Sequence, residues 1–535
     1  MASPPADVAR DLPPAPVRRG ALKARWVVLG GLACAVPFAV PFADLVVDAL
    51  REPAAILDVL ASSRTAEPLW RTVQLAVIVT CASVVVGTGM AWLTVRGDLP
   101  ARRFWQVAAV LPLVIPSYVG AHAFVSAFAP GGLVAELFGV EPVTDVRGLP
   151  AAAWVLTTLS YPYVYLPVAA RLSGLSPSLE ESARLLGRRP LAVFFTVALP
   201  QCALAIGAGA LLVALYTISD FGAVQFVGYD TLTRQIYGAR FDRTAAVAFS
   251  LLLAVLAIAL TLVERGVARR VPQAPAMTLR RAVTVPLGRW RAPALAAVAF
   301  VVLASLVAPL VVLGWWVWQG LVNDTPRFPD DGLIPPLLGS TWVSIAAALI
   351  AVAVVLPIAR LTVRHRSRAG GVASTFVVSG FALPGIVIAL SLVNLFVATP
   401  LYQTYVVLLA AYVIHFGGQA LRASQVAVAA VPERMEEAAR LLGASRWRRL
   451  RTVEVPMMLP GLAAGAGLVL LNTMKELPAT LLLAPIGHES LSGRIWQTAE
   501  QVYRYDVATT SLVLIACSAV LTWWLVIRRM EHVVR

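Results

Sequence analysis

The sequence predicts an all-α polytopic membrane protein with about 12 transmembrane helices in two parallel six-helix repeats. Two observations lead to this prediction. Of the 535 residues, 59% are hydrophobic and only 14% are charged, which is too apolar a composition for a soluble protein. A pattern of 20 residues also occurs twice, with the second copy 256 positions after the first.

The net charge of +15 does not indicate nucleic-acid binding. The arginines lie in short loops between apolar runs, and cytoplasmic loops of membrane proteins are enriched in arginine and lysine. The charge therefore predicts how the helices are oriented in a lipid bilayer, and we expect no nucleic-acid partner.

Apolar runs long enough to cross a bilayer, at about 20 residues each, can be placed twelve times. We expect kinks where proline falls within them, because neighbouring membrane helices re-satisfy the freed backbone groups. Examples of such prolines are Pro37, Pro41, Pro112, Pro116 and Pro384. The predicted spans are residues 26–48, 72–95, 104–128, 151–170, 200–220, 244–263, 293–318, 340–362, 372–397, 404–421, 458–480 and 508–527.

The loops between the spans predict the orientation and the domains. Arginine is concentrated in residues 96–103, 265–291 and 364–368, which fall on one side if every run spans once, and this side is predicted to be cytoplasmic. Both chain termini then lie in the cytoplasm. The predicted domains are a cytoplasmic N-terminal tail (1–25), a first half (26–264), a loosely ordered basic cytoplasmic linker (265–291) and a second half (292–535).

The two halves are related as a repeat. Thr94-Val95-Arg96 matches Thr362-Val363-Arg364, and Pro116 matches Pro384 at the same offset of 268. The repeated pattern itself matches at 256, so the second half has lost residues between these anchors. Because each half contains an even number of spans, both repeats run in the same direction. A path between the halves is therefore the natural route for a substrate.

Each copy of the pattern can form a short helix followed by a glycine that is able to turn. Ala183 and Leu186 lie on the apolar face of the first helix, and Ala439 and Leu442 on that of the second. One such helix could rest on lipid headgroups. Two copies with identical spacing favour a docking surface instead. The copies are Glu181-Ser182-Ala183, Gly187 and Val197-Ala198-Leu199-Pro200, then Glu437-Ala438-Ala439, Gly443 and Val453-Glu454-Val455-Pro456.

This pattern resembles the EAA loop of binding-protein-dependent ABC importers, in which a cytoplasmic helix fits a groove on the nucleotide-binding subunit. The resemblance implies a fused permease that carries both halves in one chain, with the type I ABC importer permease fold. Ser182 departs from the family consensus, which has alanine there. The residues that the resemblance assigns to ATPase coupling are Glu181, Ala183, Gly187, Leu199, Pro200, Glu437, Ala438, Ala439, Gly443 and Pro456.

The same resemblance implies two ABC ATPase subunits and an extracytoplasmic substrate-binding protein as partners, with the chain in a bacterial plasma membrane. The chain would be a non-catalytic subunit without a cofactor, and ATP and Mg²⁺ would bind to the partner ATPase. The lysines agree with this. Lys23 and Lys475 are the only two, and neither follows a glycine, so the chain lacks a GxxxxGK[ST] phosphate loop.

A gradient-driven secondary transporter of twelve helices is the alternative from another class, because such transporters are also built from two six-helix repeats. We would expect it to carry ion-coupling carboxylates deep in several spans. The predicted spans are nearly free of charge, and the paired motif has no role in that mechanism. The sequence therefore favours the ATP-driven importer.

An acidic residue follows the motif proline by 20 positions in each half, Asp220 in the first and Glu476 in the second. Tyr216 and Asn472 lie one helical turn earlier, so the polar side chains share a helix face and could line a translocation path between the halves. The sequence leaves a second interpretation open, in which the carboxylates cap helix ends and Lys475 is a local charge partner.

The segments 218–224 and 474–483 resemble the ferric-iron branch of these permeases, which implies iron(III) as the substrate. Thiamine and 2-aminoethylphosphonate permeases resemble the same branch and are the alternatives. We expect no tightly bound metal, because a tightly held ion would not leave a permease. His488 is isolated in a predicted outer loop, where we expect it to be solvated. Cysteine is confined to apolar runs without CxxC spacing, at Cys34, Cys81, Cys202 and Cys517.

Overall fold

The structure, a computed structural model, describes most of the chain and confirms the all-α prediction. Within the described ranges there is no β-strand, and the only bridge of β type joins Gly97 to Val285. The described residues are 19–139, 146–175, 182, 185–187, 190–270, 284–323, 325–329, 332–365 and 367–523.

The α-helices described in the first half alternate between long spans and short connecting pieces. A 3₁₀ turn at Leu111–Val114 and a π-helical turn at Phe194–Ala198 continue neighbouring helices. The helices are α1 Arg19–Arg51, α2 Pro53–Ala61, α3 Ser63–Val95, α4 Arg102–Ala108, α5 Ser117–Ala127, α6 Leu133–Phe138, α7 Leu149–Ser160, α8 Pro162–Ser173, α9 Pro190–Val193, α10 Leu199–Gln201, α11 Ala203–Ser219, α12 Gly222–Phe226, α13 Leu232–Gly238 and α14 Arg243–Arg270.

The second half follows the same order. Gly288–Trp290 is a 3₁₀ turn, and π-helical turns lie at Leu303–Val307 and Leu450–Glu454. The helices are α15 Arg291–Val302, α16 Ala308–Val322, α17 Ile334–Val363, α18 Arg368–Ala382, α19 Gly385–Phe396, α20 Tyr405–Ala429, α21 Glu433–Leu441, α22 Arg446–Arg449, α23 Val455–Met474, α24 Pro478–Leu483, α25 Leu491–Glu500 and α26 Arg504–Thr522.

Among the described residues, eight of the twelve predicted spans correspond to continuous helical segments that are long and apolar enough to cross a membrane. Three more predicted spans correspond to bent helix pairs, which raises the number to eleven if each pair is counted as one span. The predicted span at 151–170 differs, because it consists of two 12-residue helices, α7 and α8, that meet at Tyr161. Proline at 162 cannot donate the helical hydrogen bond. At the equivalent place in the second half stands Gly418, and there α20 runs unbroken from Tyr405 to Ala429.

Two of the predicted spans are bent sharply rather than straight. Residues 102–114 and 117–127 meet at 94°, and residues 368–380 and 385–396 meet at 103°. The breaks lie at Pro116 and Pro384, which confirms kinks at these two matched prolines. The helical conformation is disfavoured for the residue before a proline, and Ile115 and Leu383 are extended accordingly. Pro37 and Pro41, by contrast, lie inside the continuous helix α1.

Small residues bring the membrane helices close together in both halves. A Cβ atom at Gly209 of α11 would lie 2.7 Å from Val164 Cα on α8. At the equivalent Gly465 of α23, it would lie 2.7 Å from Ala423 Cβ on α20. Close backbone approach of this kind is how membrane helices gain packing energy where lipid supplies no hydrophobic drive. A close approach between the equivalent pair of helices therefore occurs in both repeats.

The predicted linker is partly ordered rather than loose throughout. Helix α14 continues to Arg270, and residues 271–283 lie outside the described part. Beyond them, Val285 N–H donates to the Arg96 carbonyl at 2.7 Å, and Leu287 N–H donates to Asp98 Oδ1 at 3.0 Å. The linker thus returns to the end of α3. We call this end of the molecule, which carries residues 96–98 and 285–287, the basic end.

Candidate coupling loops and inter-half site

The second copy of the pattern forms a short helix that ends in a well-defined turn. Helix α21 is followed by Gly443, whose φ is +74°. Gly443 N–H donates to the Arg440 carbonyl and Ala444 N–H to the Ala439 carbonyl, both at 3.0 Å. This pair of bonds is a Schellman motif, in which glycine takes the left-handed position. The glycine of the pattern is therefore required by the backbone conformation.

In both copies, two leucines before the glycine project from the molecule. Leu441 and Leu442 are 89% and 87% exposed, and the equivalent Leu185 and Leu186 are 89% and 82% exposed. Gly187 has a φ of +80°, as expected from Gly443. The loops thus present matched apolar tips. We call them the first motif loop (described at 182 and 185–187) and the second motif loop (430–446).

The other predicted coupling residues occupy the flanks of these loops. Glu437 and Ala438 are exposed on α21, and Ala439 is partly buried. Pro456 is exposed at the start of α23, and Pro200 is exposed at the start of α10 beside the partly buried Leu199. Glu181 and Ala183 lie outside the described residues. The assignment of these residues to coupling stays a prediction.

The contacts of Glu454 were not predicted from the sequence, although this residue lies within the pattern. Its buried carboxylate pairs with Arg360 and accepts from Arg449 Nε at 2.9 Å. The first half has no such ion pair at the equivalent place. There, Trp92 stands for Arg360, and its ring packs against Phe194 with centroids 5.1 Å apart. Comparing the two copies position by position would have revealed this difference.

Asp220 is buried at the end of α11, where it accepts hydrogen bonds at the start of the next short helix. Its Oδ1 accepts from Ala223 N–H at 2.8 Å, and its carbonyl accepts from Thr233 Oγ1 at 2.7 Å. Ser117, the residue after Pro116, lies near the carboxylate. Asp220 therefore joins α11 to α12 and α13.

Glu476 occupies the same place in the second half. Its Oε2 accepts from Ala479 N–H at 3.0 Å, and its carbonyl accepts from Thr480 Oγ1 at 2.7 Å. Gly385, equivalent to Ser117, leaves room for the carboxylate, because a Cβ atom at 385 would collide with Glu476 Oε1. Both carboxylates thus bond to helix starts, as the second sequence interpretation requires. A direct substrate contact stays a prediction.

The residues beside these carboxylates connect the two halves. Lys475 Nζ donates to the Leu113 carbonyl of the first half at 2.9 Å, which differs from the expected pairing with a neighbouring charge. Tyr118 of the first half is buried, packs against Gly222 and lies near Glu476 of the second half. Trp496 of the second half packs against Phe221, with ring centroids 5.5 Å apart. The matched Pro116 and Pro384 were the sequence signal that could have identified the helices that carry these groups.

Tyr216 and Asn472 have protein partners of their own. The Tyr216 ring lies 5.6 Å from that of Tyr163, and Asn472 Nδ2 donates to Gln419 Oε1 at 2.8 Å and to the Leu468 carbonyl at 3.0 Å. Among the described residues, no hydrogen bond joins Asp220 to Glu476. The expected convergence of all four side chains on one axis is therefore still a prediction.

The structure corrects the prediction for His488. Its ring is partly buried and packs against Tyr405, with Nδ1 3.4 Å from the Tyr405 hydroxyl. Burial lowers the pKa of His488 from its usual value. No group of three or more His, Cys, Asp or Glu residues suited to a metal ion occurs in the part of the chain that the structure describes. All four cysteines are free thiols, and Cys81 is exposed rather than buried.

Comparison with known proteins shows that both halves of the chain match the same family. Residues 83–273 and 353–531 each match the family described as "Binding-protein-dependent transport system inner membrane component". Each match contains one motif loop and the carboxylate that follows it. The match therefore occurs twice in this chain, once in each half.

Among similar curated proteins, the Fe(3+)-transport system permease protein FbpB 2 of Haemophilus influenzae is 30% identical over 506 residues, which cover 92% of this chain and 96% of that protein. The molybdenum transport system permease protein ModB of Mycobacterium tuberculosis is 32% identical, covering 46% of this chain and 95% of its own length. The putative 2-aminoethylphosphonate transport system permease protein PhnU of Salmonella choleraesuis is 28% identical, covering 48% and 96%.

Proposed function

Because the chain belongs to the family of binding-protein-dependent transport system inner membrane components, we propose that it is the fused permease of an ATP-driven iron(III) importer. The chain is a multi-pass ABC importer permease, and the family's role is transport rather than catalysis. The observation that carries the proposal is the pair of equivalent motif loops with nearly fully exposed leucine tips.

In this proposal, each motif loop docks one ABC ATPase subunit. Burying a leucine side chain stabilises a complex by about 2 kcal/mol, so each pair of tips offers several kcal/mol to a partner with an apolar groove. Two loops with the same glycine conformation and the same exposed leucines favour a protein partner over a lipid surface. Two loops of the same geometry suit two ATPase subunits, which would bind the ATP and Mg²⁺.

Iron(III) is supported by a relative that aligns over both halves of the chain. FbpB 2 is named for Fe(3+) transport and aligns over nearly all of both chains. ModB and PhnU each align with about half of this chain. The carboxylates and the tyrosine that lie beside the inter-half contact are hard oxygen donors, which suit iron(III). An extracytoplasmic binding protein would deliver the ion and supply most of the selectivity.

The second candidate is 2-aminoethylphosphonate, which the similarity to PhnU favours. The two substrates differ in charge, so one transport assay separates them. The chain would be reconstituted into liposomes with its cognate ATPase and binding protein. We expect ATP-dependent uptake of radiolabelled iron(III) that persists when ionophores collapse the ion gradients. Uptake of 2-aminoethylphosphonate alone would contradict the substrate, and uptake driven by an ion gradient without ATP would contradict the importer.

A further inference from the structure

We infer that Arg96 and Arg364 are positioning residues that connect each motif loop to a long membrane helix, α3 in the first half and α17 in the second. Through this connection, movement of the loop is passed to the helix. The inference rests on the proposed function, since it concerns how the docked ATPase would act on the membrane helices. It adds a pair of residues outside the repeated pattern to the coupling machinery.

The two arginines make the same contact in both halves. Arg96 follows α3 and donates from Nη2 to the Leu172 carbonyl at 2.8 Å, and Arg364 follows α17 and donates from Nη2 to the Val428 carbonyl at 3.1 Å. Val428 lies 256 positions after Leu172, at the offset of the pattern itself. The structure therefore repeats this bond although the sequence between the anchors differs in length.

The bonded carbonyls lie where the chain leaves the membrane helix for the motif loop. The last carbonyls of a helix have no partner within it, and a cation near them is favoured by the helix dipole. Leu172 is in the last turn of α8, and Val428 is in the last turn of α20. Arginine at this place donates a hydrogen bond to a carbonyl at the end of the helix and fixes the point where the chain leaves the helix for the motif loop.

Arg364 reaches further, into the motif helix itself. The same guanidinium donates to the Val431 carbonyl and lies 3.1 Å from the Glu436 carboxylate and 3.6 Å from that of Glu433. Only 16% of the Glu436 side chain is exposed, so this pair is shielded from solvent. The planar fork of arginine can contact carbonyls and a carboxylate together, which a lysine ammonium on a flexible stem does less well. The guanidinium of Arg364 thus contacts the end of α20, the segment that follows it and the motif helix α21.

A threonine two residues earlier strengthens the connection in each half. Thr94 Oγ1 is 3.1 Å from the Tyr165 hydroxyl on α8, and Thr362 Oγ1 accepts from Gln425 Nε2 on α20 at 3.1 Å. Helices α3 and α17 are continuous over 33 and 30 residues, so each is about 45–50 Å long at 1.5 Å per residue. A displacement at the start of the motif loop can therefore be carried across the membrane by an unbroken helix.

Arg364 is the better residue to test, because Arg96 is only 1% exposed and its replacement could prevent folding. Arg364→Gln removes the fork, Arg364→Lys keeps the charge, and Arg368→Gln is a control with the same charge change at an exposed site four residues later. Each would be purified with the ATPase and the binding protein. We expect Arg364→Gln to retain ATPase association and basal hydrolysis but to lose uptake per assembled complex roughly tenfold, the factor expected for one charge-assisted hydrogen bond.

We expect Arg364→Lys to fall between the wild type and Arg364→Gln, and Arg368→Gln to behave as wild type. Unchanged uptake per complex in Arg364→Gln would overturn the inference. Loss of ATPase association together with a lower yield would also overturn it, because the arginine would then only fold the loop. If the wild type itself bound no ATPase, the proposed function would fail instead.

A distance measurement tests the transmission directly. Trp70 and Leu338 are equivalent exposed residues near the far ends of α3 and α17. Spin labels on cysteines at these positions, in a chain whose native cysteines are replaced by alanine, report the separation of the two helices. We expect ATP to change this distance in the complex and Arg364→Gln to reduce the change. An equal ATP-driven change in both proteins would overturn the inference.

Discussion

At the scale of single residues, the two pattern glycines combine a backbone requirement with an exposed position. Gly187 and Gly443 both have positive φ, and a Cβ atom added at either would meet nothing within 4 Å. Substitution therefore costs backbone strain but causes no clash within the chain. A side chain at either position would instead project toward whatever docks on the loop.

Replacing Gly443 should separate these two effects. Valine cannot easily adopt positive φ and should destabilise the turn by roughly 2 kcal/mol, whereas asparagine tolerates this conformation. We expect Gly443→Val to insert normally into the membrane but to weaken ATPase association and uptake strongly, with Gly443→Asn less affected. The same holds for bulky replacement of Gly187. Co-purification and uptake measure both effects, and normal transport by the Gly187, Gly443 double valine variant would sink the docking assignment.

The paired carboxylates give a second prediction at this scale. Asp220→Asn together with Glu476→Gln keeps a side-chain oxygen that can accept the helix-start hydrogen bonds but removes both negative charges. If the carboxylates contact the passing ion, uptake per assembled complex should fall while expression, ATPase binding and basal hydrolysis persist. A loss of thermal stability and yield, with uptake per complex unchanged, would remove both residues from the path.

The glycine conformation could be predicted from the sequence, whereas the environment of the carboxylates could not. A glycine after a short helix is a local signal, and both glycines adopt the conformation that it indicates. Whether Asp220 and Glu476 meet substrate or cap helices depends on what α5 and α19 bring beside them. Those helices lie about 90 to 100 residues earlier in the chain, beyond the reach of local sequence patterns.

At the scale of helices, the apolar runs predicted which segments form helices but not how they bend. Proline at 116 and 384 indicated kinks, but the angles near 90° depend on packing against neighbours. The break at Tyr161 has a sequence signal in Pro162, but proline alone does not decide where a helix ends, because Pro357 lies inside the continuous helix α17. The ion pair of Glu454 was missed for a different reason, since Arg360 lies 94 residues earlier.

That ion pair predicts that the two motif loops are anchored by different forces. Glu454→Ala should leave Arg360 and Arg449 without their carboxylate and destabilise the second half by about 3 kcal/mol. Adding Arg360→Trp places an indole ring, as at Trp92 of the first half, beside Leu450, the counterpart of Phe194, and should recover part of the loss. Thermal unfolding of the purified chain measures both variants. Equal melting temperatures for the wild type and Glu454→Ala would show that the pair contributes nothing.

At the scale of the whole molecule, the sequence predicted two parallel halves, and the equivalent contacts of Gly209 and Gly465 agree with that arrangement. The contacts between the halves could not be predicted. Lys475 bonds to a carbonyl 362 residues earlier, and Trp496 packs against aromatic side chains of the first half. Neither contact leaves a periodic signal in the sequence. Inter-half geometry arises only once both repeats have folded against each other.

The arginine distribution predicts that the motif loops face the cytoplasm. Cysteines introduced at Arg188 and Arg446 should be protected from an impermeant thiol reagent in intact cells, whereas a cysteine at Asp331 should react. Arg188 and Asp331 lie outside the described residues, so labelling supplies information that the structure does not. Reaction at all three introduced positions would mean that the predicted spans are wrong.

If each motif loop binds one ATPase subunit, native mass spectrometry of the purified complex should show two of them per chain. The 56.9 kDa chain should carry two ATPase subunits. Replacing Leu441 and Leu442 by serine should leave one, and replacing Leu185 and Leu186 as well should leave none. Two ATPase subunits on the chain that lacks all four leucines would contradict the account.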